Sequence, residues 1–227
     1  MSDDGLVVED LYVKIAGARI IEGLSLRVRP GVIVGMAGRN GAGKTTTLRA
    51  ISGVVNRTRG RVLLDGVALP TTPEGVARRG VSHVPEGRGI FPNLTVEENI
   101  RLGERGAPDH ALRRTLEEVF PAVARLSDRR AGQLSGGEQQ MLALMRGLVS
   151  RPRILLVDEM SLGLSPRALR TAVEALAGFG RDEGIGMLIV DQNSRMLDEH
   201  CDEMFLLKDG RVEPWTQTSD LASAYFG

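Results

Sequence analysis

The chain has 227 residues, of which 42% are hydrophobic, and this composition supports one large domain or a core with an inserted lobe. Lys plus Arg and Asp plus Glu number 29 each, so the net charge provides no general attraction to nucleic acid or to an anionic membrane surface. The single cysteine, Cys201, excludes an internal disulfide and is typical of a protein from a reducing compartment.

The first predicted elements are strands. Residues 24–29 alternate between apolar and polar, which predicts a half-exposed strand, and Pro30-Gly31 predicts a turn. Residues 32–36 form a continuous apolar run, which predicts a buried strand. No apolar run approaches the roughly 20 residues that cross a bilayer, and residues 1–5 do not resemble a secretion signal. We therefore expect a cytosolic chain that reaches a membrane only through another protein.

A segment with helical spacing follows at residues 95–150. Thr95-Val96-Glu97-Glu98 is typical of a capping box, in which the first and last side chains each bond the other residue's backbone N–H. Apolar residues then recur at helical intervals, namely Leu112, Leu116, Val119 and Phe120. This pattern predicts a helical insertion.

Strand patterns return after the helical segment. Residues 154–157 and 187–190 are apolar runs that each end in an acidic residue and precede helix-compatible sequence, which predicts parallel strands covered on both faces. The tail predicts strands at residues 204–207 and 211–212 and a short helix near Leu221. The core is therefore expected to be an α/β sheet.

Residues 38–45 fit the P-loop pattern, in the expected place between a strand and a helix. Its glycines let successive backbone N–H groups surround phosphate oxygens, and the helix N-terminus adds a favourable dipole. Lys44 is expected to reach the β- and γ-phosphates, and Thr45 to ligate Mg²⁺. The alternative, a glycine-rich turn with a solvated lysine, is disfavoured by the complete pattern. The predicted nucleotide-binding residues are Gly38, Asn40, Gly41, Ala42, Gly43, Lys44, Thr45 and Thr46.

Two carboxylates, Asp158 and Glu159, end the apolar run at residues 154–157, at the edge where an open α/β sheet binds its ligand. Asp158 is expected to hold the Mg²⁺ shell, and Glu159 to orient or deprotonate the attacking water. Acidic residues often simply end strands, so the prediction depends on the P-loop being present as well.

A third motif is the Ser135-Gly136-Gly137 sequence that precedes helix-compatible residues. A helix N-terminus of this composition is a second phosphate-binding device. Taken alone, it could equally be an ordinary loop with a helix cap.

With these three motifs in this order, the sequence resembles the ABC ATPase family along nearly its whole length, from Leu6 to Tyr225-Phe226-Gly227. The resemblance implies a P-loop ABC ATPase fold with a mainly parallel core sheet, an antiparallel N-terminal strand lobe and an inserted helical subdomain. We expect one domain over residues 1–227, with the insertion at residues 88–151. It also implies ATP and Mg²⁺, and catalytic roles for Lys44, Glu159 and Gln192.

In that family a signature segment, which Ser135-Gly136-Gly137 resembles here, closes over the γ-phosphate held by the P-loop of another subunit. By this resemblance, Ser135, Gly136 and Gly137 bind the ATP of a partner chain, and two chains enclose two ATP molecules. Thr45, Glu86 and Asp158 form the expected Mg²⁺ set. His83, His110 and His200 have no metal-ligand spacing, so no other metal site is predicted.

Three further segments, at residues 84–88, 161–164 and 191–193, are similar to branched-chain amino-acid importers. Most ABC ATPases carry glutamine where Glu86 stands and histidine where Gln192 stands, whereas this group has a carboxylate and an amide. Urea-type relatives keep the glutamine, so Glu86 favours import of branched-chain or related amino acids over a urea or amide importer. A soluble ABC protein acting on ribosomes or DNA is less consistent with this sequence, since such proteins usually fuse two ATPase units or insert long coiled coils. A P-loop kinase or GTPase is disfavoured by Ser135-Gly136-Gly137 and Glu159.

The resemblance implies several partners: a second, non-identical ATPase subunit, two membrane-embedded permease subunits and, indirectly, an extracytoplasmic solute-binding protein, but no nucleic acid. The chain would then lie in the cytoplasm on the inner face of the cell membrane. Residues 85–99 are expected to form the docking surface for the permease, with Arg88 and Phe91 as exposed loop residues.

Three positions depart from the family pattern. Ile15 stands where an aromatic ring usually stacks on adenine, so weaker stacking is expected. Met160 stands where proline commonly follows the catalytic carboxylate, and Ser165 stands where many relatives have the aspartate of the subunit-contact loop.

Overall fold

Two β-sheets organise residues 5–215, the part of the chain that the computed structural model describes. The predicted helix near Leu221 and the Tyr225-Phe226-Gly227 end lie outside these residues. The elements in chain order are β1 (Leu6–Ile15), β2 (Ala18–Val28), β3 (Ile33–Gly38), α1 (Lys44–Ile51), β4 (Arg59–Leu64), β5 (Val67–Ala68), α2 (Pro73–Arg78), β6 (Val81–Val84), α3 (Val96–Arg101), α4 (His110–Val119), α5 (Pro121–Ala124), α6 (Gly136–Leu148), β7 (Ile154–Asp158), α7 (Pro166–Asp182), β8 (Gly186–Asp191), α8 (Ser194–His200), β9 (Glu203–Lys208) and β10 (Arg211–Pro214), with a short 3₁₀ helix at Ala131–Gln133.

The smaller sheet is antiparallel and has the strand order β2-β1-β4-β5. β1 contains a bulge at Asp10, which has φ of 50°, so that Leu6 and Val8 before it and Leu11 and Val13 after it all face the core. The neighbouring strand fits closely against this bulge, because a Cβ on Gly60 would lie 2.3 Å from the Asp10 carbonyl oxygen. This sheet is the antiparallel strand lobe expected from the resemblance.

The larger sheet has the order β10-β9-β3-β8-β7-β6, and all of its pairs are parallel except β10 with β9. β3, β7 and β8 are buried at every residue, as their continuous apolar sequences predict. Because these strands run in the same direction, their carboxyl ends share one edge of the sheet. The P-loop, Asp158 and Asp191 are therefore brought to the same edge.

The helices α3, α4, α5 and α6 lie between β6 and β7 in sequence, as the helical spacing predicts. Thr95 and Glu98 form the predicted capping box at the start of α3. Leu112, Leu116 and Phe120 are buried in a hydrophobic cluster that also contains residues of the large sheet. The insertion therefore shares a core with the sheet, and its limits at residues 88 and 151 stay a prediction.

None of the helices in residues 5–215 combines the length and hydropathy needed to cross a membrane.

Burial raises the pKa of the Cys201 thiol to about 12, with the charges of Asp202 and Asp198 acting in the same direction.

Candidate nucleotide-binding site

The P-loop places a buried lysine at the start of α1. Gly41 and Gly43 have φ of 82° and 106°, a conformation that residues with a Cβ rarely adopt. Lys44 is 5% exposed, and its Nζ donates to the carbonyl oxygens of Gly38 and Arg39 at 2.8 and 3.2 Å. An ammonium group has three donors, so one remains for an anion. Burial lowers the pKa of Lys44, and the nearby carboxylates of Glu159 and Asp158 oppose this shift.

Most of the predicted site residues surround one cavity of about 500 Å³. Its lining includes Asn40, Gly41, Gly43, Lys44, Thr45, Thr46, Glu86, Glu159 and Gln192. Ala42 instead borders a neighbouring cavity of about 640 Å³ together with Asn40 and Gly41. Gly38 lies at the end of β3, where a Cβ would be 2.6 Å from the Leu207 carbonyl oxygen, so this position requires glycine.

Asp158 is a buried carboxylate whose two oxygens differ in their hydrogen bonding. It is 1% exposed, and its Oδ1 accepts a hydrogen bond from the Thr45 hydroxyl at 3.1 Å. Oδ2 is also buried, and it has no hydrogen-bond partner among residues 5–215. Burial raises the pKa of Asp158, and the Thr45 hydroxyl partly offsets this. A buried, unpaired carboxylate oxygen beside a hydroxyl is the oxygen-donor arrangement that a Mg²⁺ ion uses.

The surroundings fit a metal that arrives with a nucleotide. Residues 5–215 contain no group of three or more His, Cys, Asp or Glu side chains placed to hold a metal ion by themselves. Mg²⁺ is commonly bound by one or two carboxylates together with substrate phosphates. Asp158, Thr45 and the cavity-lining Glu86 suit that mode of binding.

Glu159 follows in an unusual backbone conformation, with φ of 50°. Its N–H donates to the Val190 carbonyl oxygen at 2.9 Å, which fixes this turn against the end of β8. Its Oε1 accepts a hydrogen bond from Gln192 Nε2 at 2.9 Å. The carboxylate is therefore held at the cavity by a side chain from the adjacent strand end.

A second buried aspartate, Asp191, organises these two strand ends. Its carboxylate accepts hydrogen bonds from the Ser161 N–H at 2.8 Å, the Ser161 hydroxyl at 2.7 Å and the Asn193 N–H at 2.8 Å. These bonds tie the loop after Glu159 to the loop that carries Gln192. The sequence indicates Asp191 only as a strand end and a subfamily residue, because the bridging contact depends on the pairing of β7 with β8.

Ser135 lies outside this cavity. It is exposed and begins α6 in a capping box with Glu138: its N–H and hydroxyl donate to Glu138 Oε2 at 2.7 and 2.8 Å, and Oγ accepts from the Glu138 N–H at 3.3 Å. These bonds lower the pKa of Glu138. Ser135, Gly136 and Gly137 thus form a separate helix start on the surface.

Comparison with known protein families decides the classification of the chain. The family model described as ABC transporter matches residues 21–161, a range that contains the P-loop, Ser135 and the Asp158-Glu159 pair. The chain belongs to the ABC transporter family. It is an ATP-binding subunit whose ATP hydrolysis is coupled to transport.

Relatives show the range of this family. The chain is 36% identical to the high-affinity branched-chain amino acid transport ATP-binding protein BraG of Pseudomonas aeruginosa, over 90% of this chain and 88% of that protein. It is 32% identical to the lipopolysaccharide export system ATP-binding protein LptB of Escherichia coli K12, over 91% and 88% of the two chains. A solved ATP-binding subunit of an ABC transporter has a TM-score of 0.83 and 27% identity, covering 97% of this chain and 93% of that one.

Ile20 lies next to the P-loop on the β1–β2 side. It borders both cavities described above, and its backbone and side chain contact the position of Gly43. Ile15, at the end of β1, is 44% exposed and is absent from the lining of both cavities. Ile20 belongs to no sequence motif, so its place beside the P-loop could not be predicted from the sequence. The expected place of Ile15 beside the adenine of ATP stays a prediction.

The other departures from the ABC pattern have structural partners. Met160 is fully buried in the hydrophobic cluster beneath the site. Ser165 caps α7 by accepting a hydrogen bond from the Ala168 N–H at 3.3 Å. Both residues therefore stabilise the segment that leaves Glu159.

One expectation was wrong: Arg88 is half-buried rather than exposed. Its Nη1 donates to Gln139 Oε1 on α6 at 2.5 Å, a contact across 51 positions of sequence that local pattern cannot reveal. Phe91 is 50% exposed, as expected.

Asp158→Asn tests the metal assignment. Asparagine keeps an oxygen for the Thr45 hydroxyl but removes the charge, so we expect ATP binding in EDTA to stay near that of the natural chain. The additional affinity that Mg²⁺ provides should fall about tenfold or more. Calorimetric titrations with ATP, with and without Mg²⁺, measure both quantities. The matched control is Asp182→Asn, an exposed aspartate at the end of α7, and an equal loss in both variants would contradict the assignment.

Proposed function

We propose that this chain powers the import of branched-chain or related amino acids. The observation that carries the proposal is the hydrogen bond between Gln192 and Glu159 at the P-loop cavity, in a chain that also has Glu86 at that cavity. A carboxylate and an amide at these two positions are the pattern expected of branched-chain importers. The 36% identity to BraG supports the same substrate class.

The 32% identity to LptB favours a second candidate, lipopolysaccharide export. Selectivity resides in the membrane subunits and the solute-binding protein, so the two candidates differ in what accompanies the ATPase. Purification of the intact complex from gently solubilised membranes identifies the partners. Stimulation of its ATPase activity by leucine, isoleucine or valine supports import, and stimulation by lipopolysaccharide instead contradicts it.

Each group at the cavity has a proposed task in hydrolysis. Lys44 would hold the β- and γ-phosphates of ATP, and Thr45, Asp158 and Glu86 would hold Mg²⁺. The bound metal would neutralise phosphate charge. Glu159 accepts a proton from the attacking water, and the Gln192 amide keeps the Glu159 carboxylate facing the cavity. A neutral amide donates hydrogen bonds without the positive charge available to histidine.

A second subunit completes the site in this proposal. ATPase subunits of ABC transporters work as dimers with transmembrane permease components. Ser135 is exposed on a helix start that does not line its own P-loop cavity, and such a start binds anions through its free N–H groups and dipole. We propose that Ser135, Gly136 and Gly137 bind the nucleotide of a non-identical ATPase partner.

A groove of about 740 Å³ between the insertion and the core sheet is the proposed docking surface for the permease. Three exposed apolar side chains border it, from Val54, Phe91 and Leu102. The Arg146 guanidinium lies 5.5 Å from the centre of the Phe91 ring, and Arg49 and Arg105 also line the groove. An amphipathic segment with acidic side chains would match this surface. Docking there would hold the chain in the cytoplasm, on the inner face of the cell membrane.

Glu159→Gln should preserve binding of ATP and Mg²⁺ while lowering hydrolysis by roughly 100-fold or more, because a general base contributes in that range. Complexes trapped with ATP should accumulate. Phosphate release by the assembled complex measures the effect. Turnover at the natural rate would exclude Glu159 as the base.

Ser135→Arg should leave ATP binding to the isolated subunit nearly intact and abolish turnover of the assembly, because the serine acts on the partner's nucleotide. ATP titrations and phosphate release separate the two effects. Asp109→Ala controls for loss of a helix cap, since Asp109 caps α4 through the N–H groups of Ala111 and Leu112. Equal loss of binding and turnover in Ser135→Arg would place Ser135 in its own chain's site.

Phe91→Asp should weaken co-purification with the membrane subunits and leave ATP affinity unchanged, because it puts a negative charge on the apolar wall of the groove. The matched control is Val67→Asp, a similarly exposed apolar residue on the edge strand of the antiparallel sheet, at 51% exposure. Assembly as complete as that of the control would locate the docking surface elsewhere.

A further inference from the structure

Arg88 lies in a backbone conformation that a residue with a side chain rarely adopts. Gly87, Arg88 and Gly89 have φ of 77°, 70° and 61° in succession. This turn follows directly on Glu86, which borders the nucleotide cavity. A non-glycine residue in the left-handed region is favoured only when its surroundings hold it there. The contacts of the Arg88 side chain stabilise this backbone conformation.

The Arg88 guanidinium touches two segments distant from it in sequence. Its Nη1 donates to Gln139 Oε1 in the first turn of α6, and Gln139 Nε2 donates to the Ala131 carbonyl oxygen at 3.2 Å. Its Nη2 fills space beside two glycines: a Cβ on Gly136 would lie 3.2 Å from it, and a Cβ on Gly163 would lie 2.6 Å from it. These glycines make room for the arginine.

The two contacted segments both lead to the site. Gly136 follows Ser135 at the start of α6. Gly163 belongs to the loop that begins at Ser161, which is bound to Asp191 next to Gln192. Arg88 is therefore the point at which three segments meet: the turn after Glu86, the start of α6 and the loop after Glu159.

Stabilisation of α6 by charge does not explain this placement. A cation near a helix N-terminus opposes the helix dipole. The charged group is also partly desolvated, and Arg88 Nε is buried with no hydrogen-bond partner among residues 5–215. What arginine offers here is a planar group whose two ends can contact two segments at once.

We propose that Arg88 is a positioning residue that sets the orientation of the signature segment relative to the nucleotide cavity. The guanidinium holds the turn after Glu86, the start of α6 at Ser135 and the loop of residues 161–164 in one fixed arrangement. The proposal rests on the function proposed above, because it assumes that Ser135 acts on a partner subunit's ATP.

The test compares Arg88→Ala and Arg88→Lys in the assembled complex and in the isolated subunit. Both variants should bind ATP like the natural chain, and turnover of the complex should fall roughly 10-fold to 100-fold, as expected for misplaced groups. Lysine keeps the positive charge but lacks the planar guanidinium that contacts two segments, so it should not restore turnover. In the isolated subunit, backbone amides at residues 136–139 and 161–164 should exchange hydrogen faster in both variants.

Arg61→Ala is the matched control, because Arg61 pairs with Glu9 at 2.7 Å on the antiparallel sheet, away from the site. It should alter neither turnover nor exchange. Gln139→Leu tests the contact from the other side, keeps the test available if Arg88→Ala does not fold, and should reproduce the faster exchange. Unchanged exchange in the Arg88 variants, or full turnover with lysine, overturns the proposal. The exchange measurement does not depend on hydrolysis, so it separates this result from a failure of the Glu159 assignment.

Discussion

The site depends on the pairing register of the central parallel strands. Asp158 at the end of β7 pairs with Val190 of β8, and Ala37 of β3 pairs with Asp191. This register brings the P-loop, the Asp158 and Glu159 carboxylates and the Gln192 turn to one edge. A shift by one residue would turn the side chains of a strand to the opposite face of the sheet. Burial of these strands on both faces makes such a shift costly, so the fold itself aligns groups that lie more than a hundred residues apart.

Two equally buried aspartates at this edge differ in how their oxygens are hydrogen-bonded. Asp158 and Asp191 are both 1% exposed, so each pays a desolvation cost. Asp191 accepts three hydrogen bonds and is satisfied within the chain. Asp158 has a single side-chain hydroxyl bond and retains an unpaired buried oxygen. The first arrangement stabilises two loops, whereas the second retains capacity for a ligand.

Local patterns predicted local structure well, and contacts between distant segments were the part that sequence could not supply. The P-loop, the apolar strand runs and the Thr95 capping box were recognisable because their residues are close in sequence. The burial of Arg88, the place of Ile20 beside the P-loop and the bridging bonds of Asp191 arise from tertiary packing. The transported solute cannot be predicted from the ATPase sequence alone, since similar ATPase chains serve different transport systems.

The thiol of Cys201 has a practical consequence. Burial raises the pKa of this thiol to about 12, so it is protonated at pH 7, and the thiolate is the form that attacks electrophiles. Because Cys201 is the one cysteine of this sequence, we expect the unmodified chain to react slowly with maleimides. A fluorophore can therefore be attached to a cysteine introduced on any exposed loop without first removing a native one, and subunit approach can be followed by energy transfer.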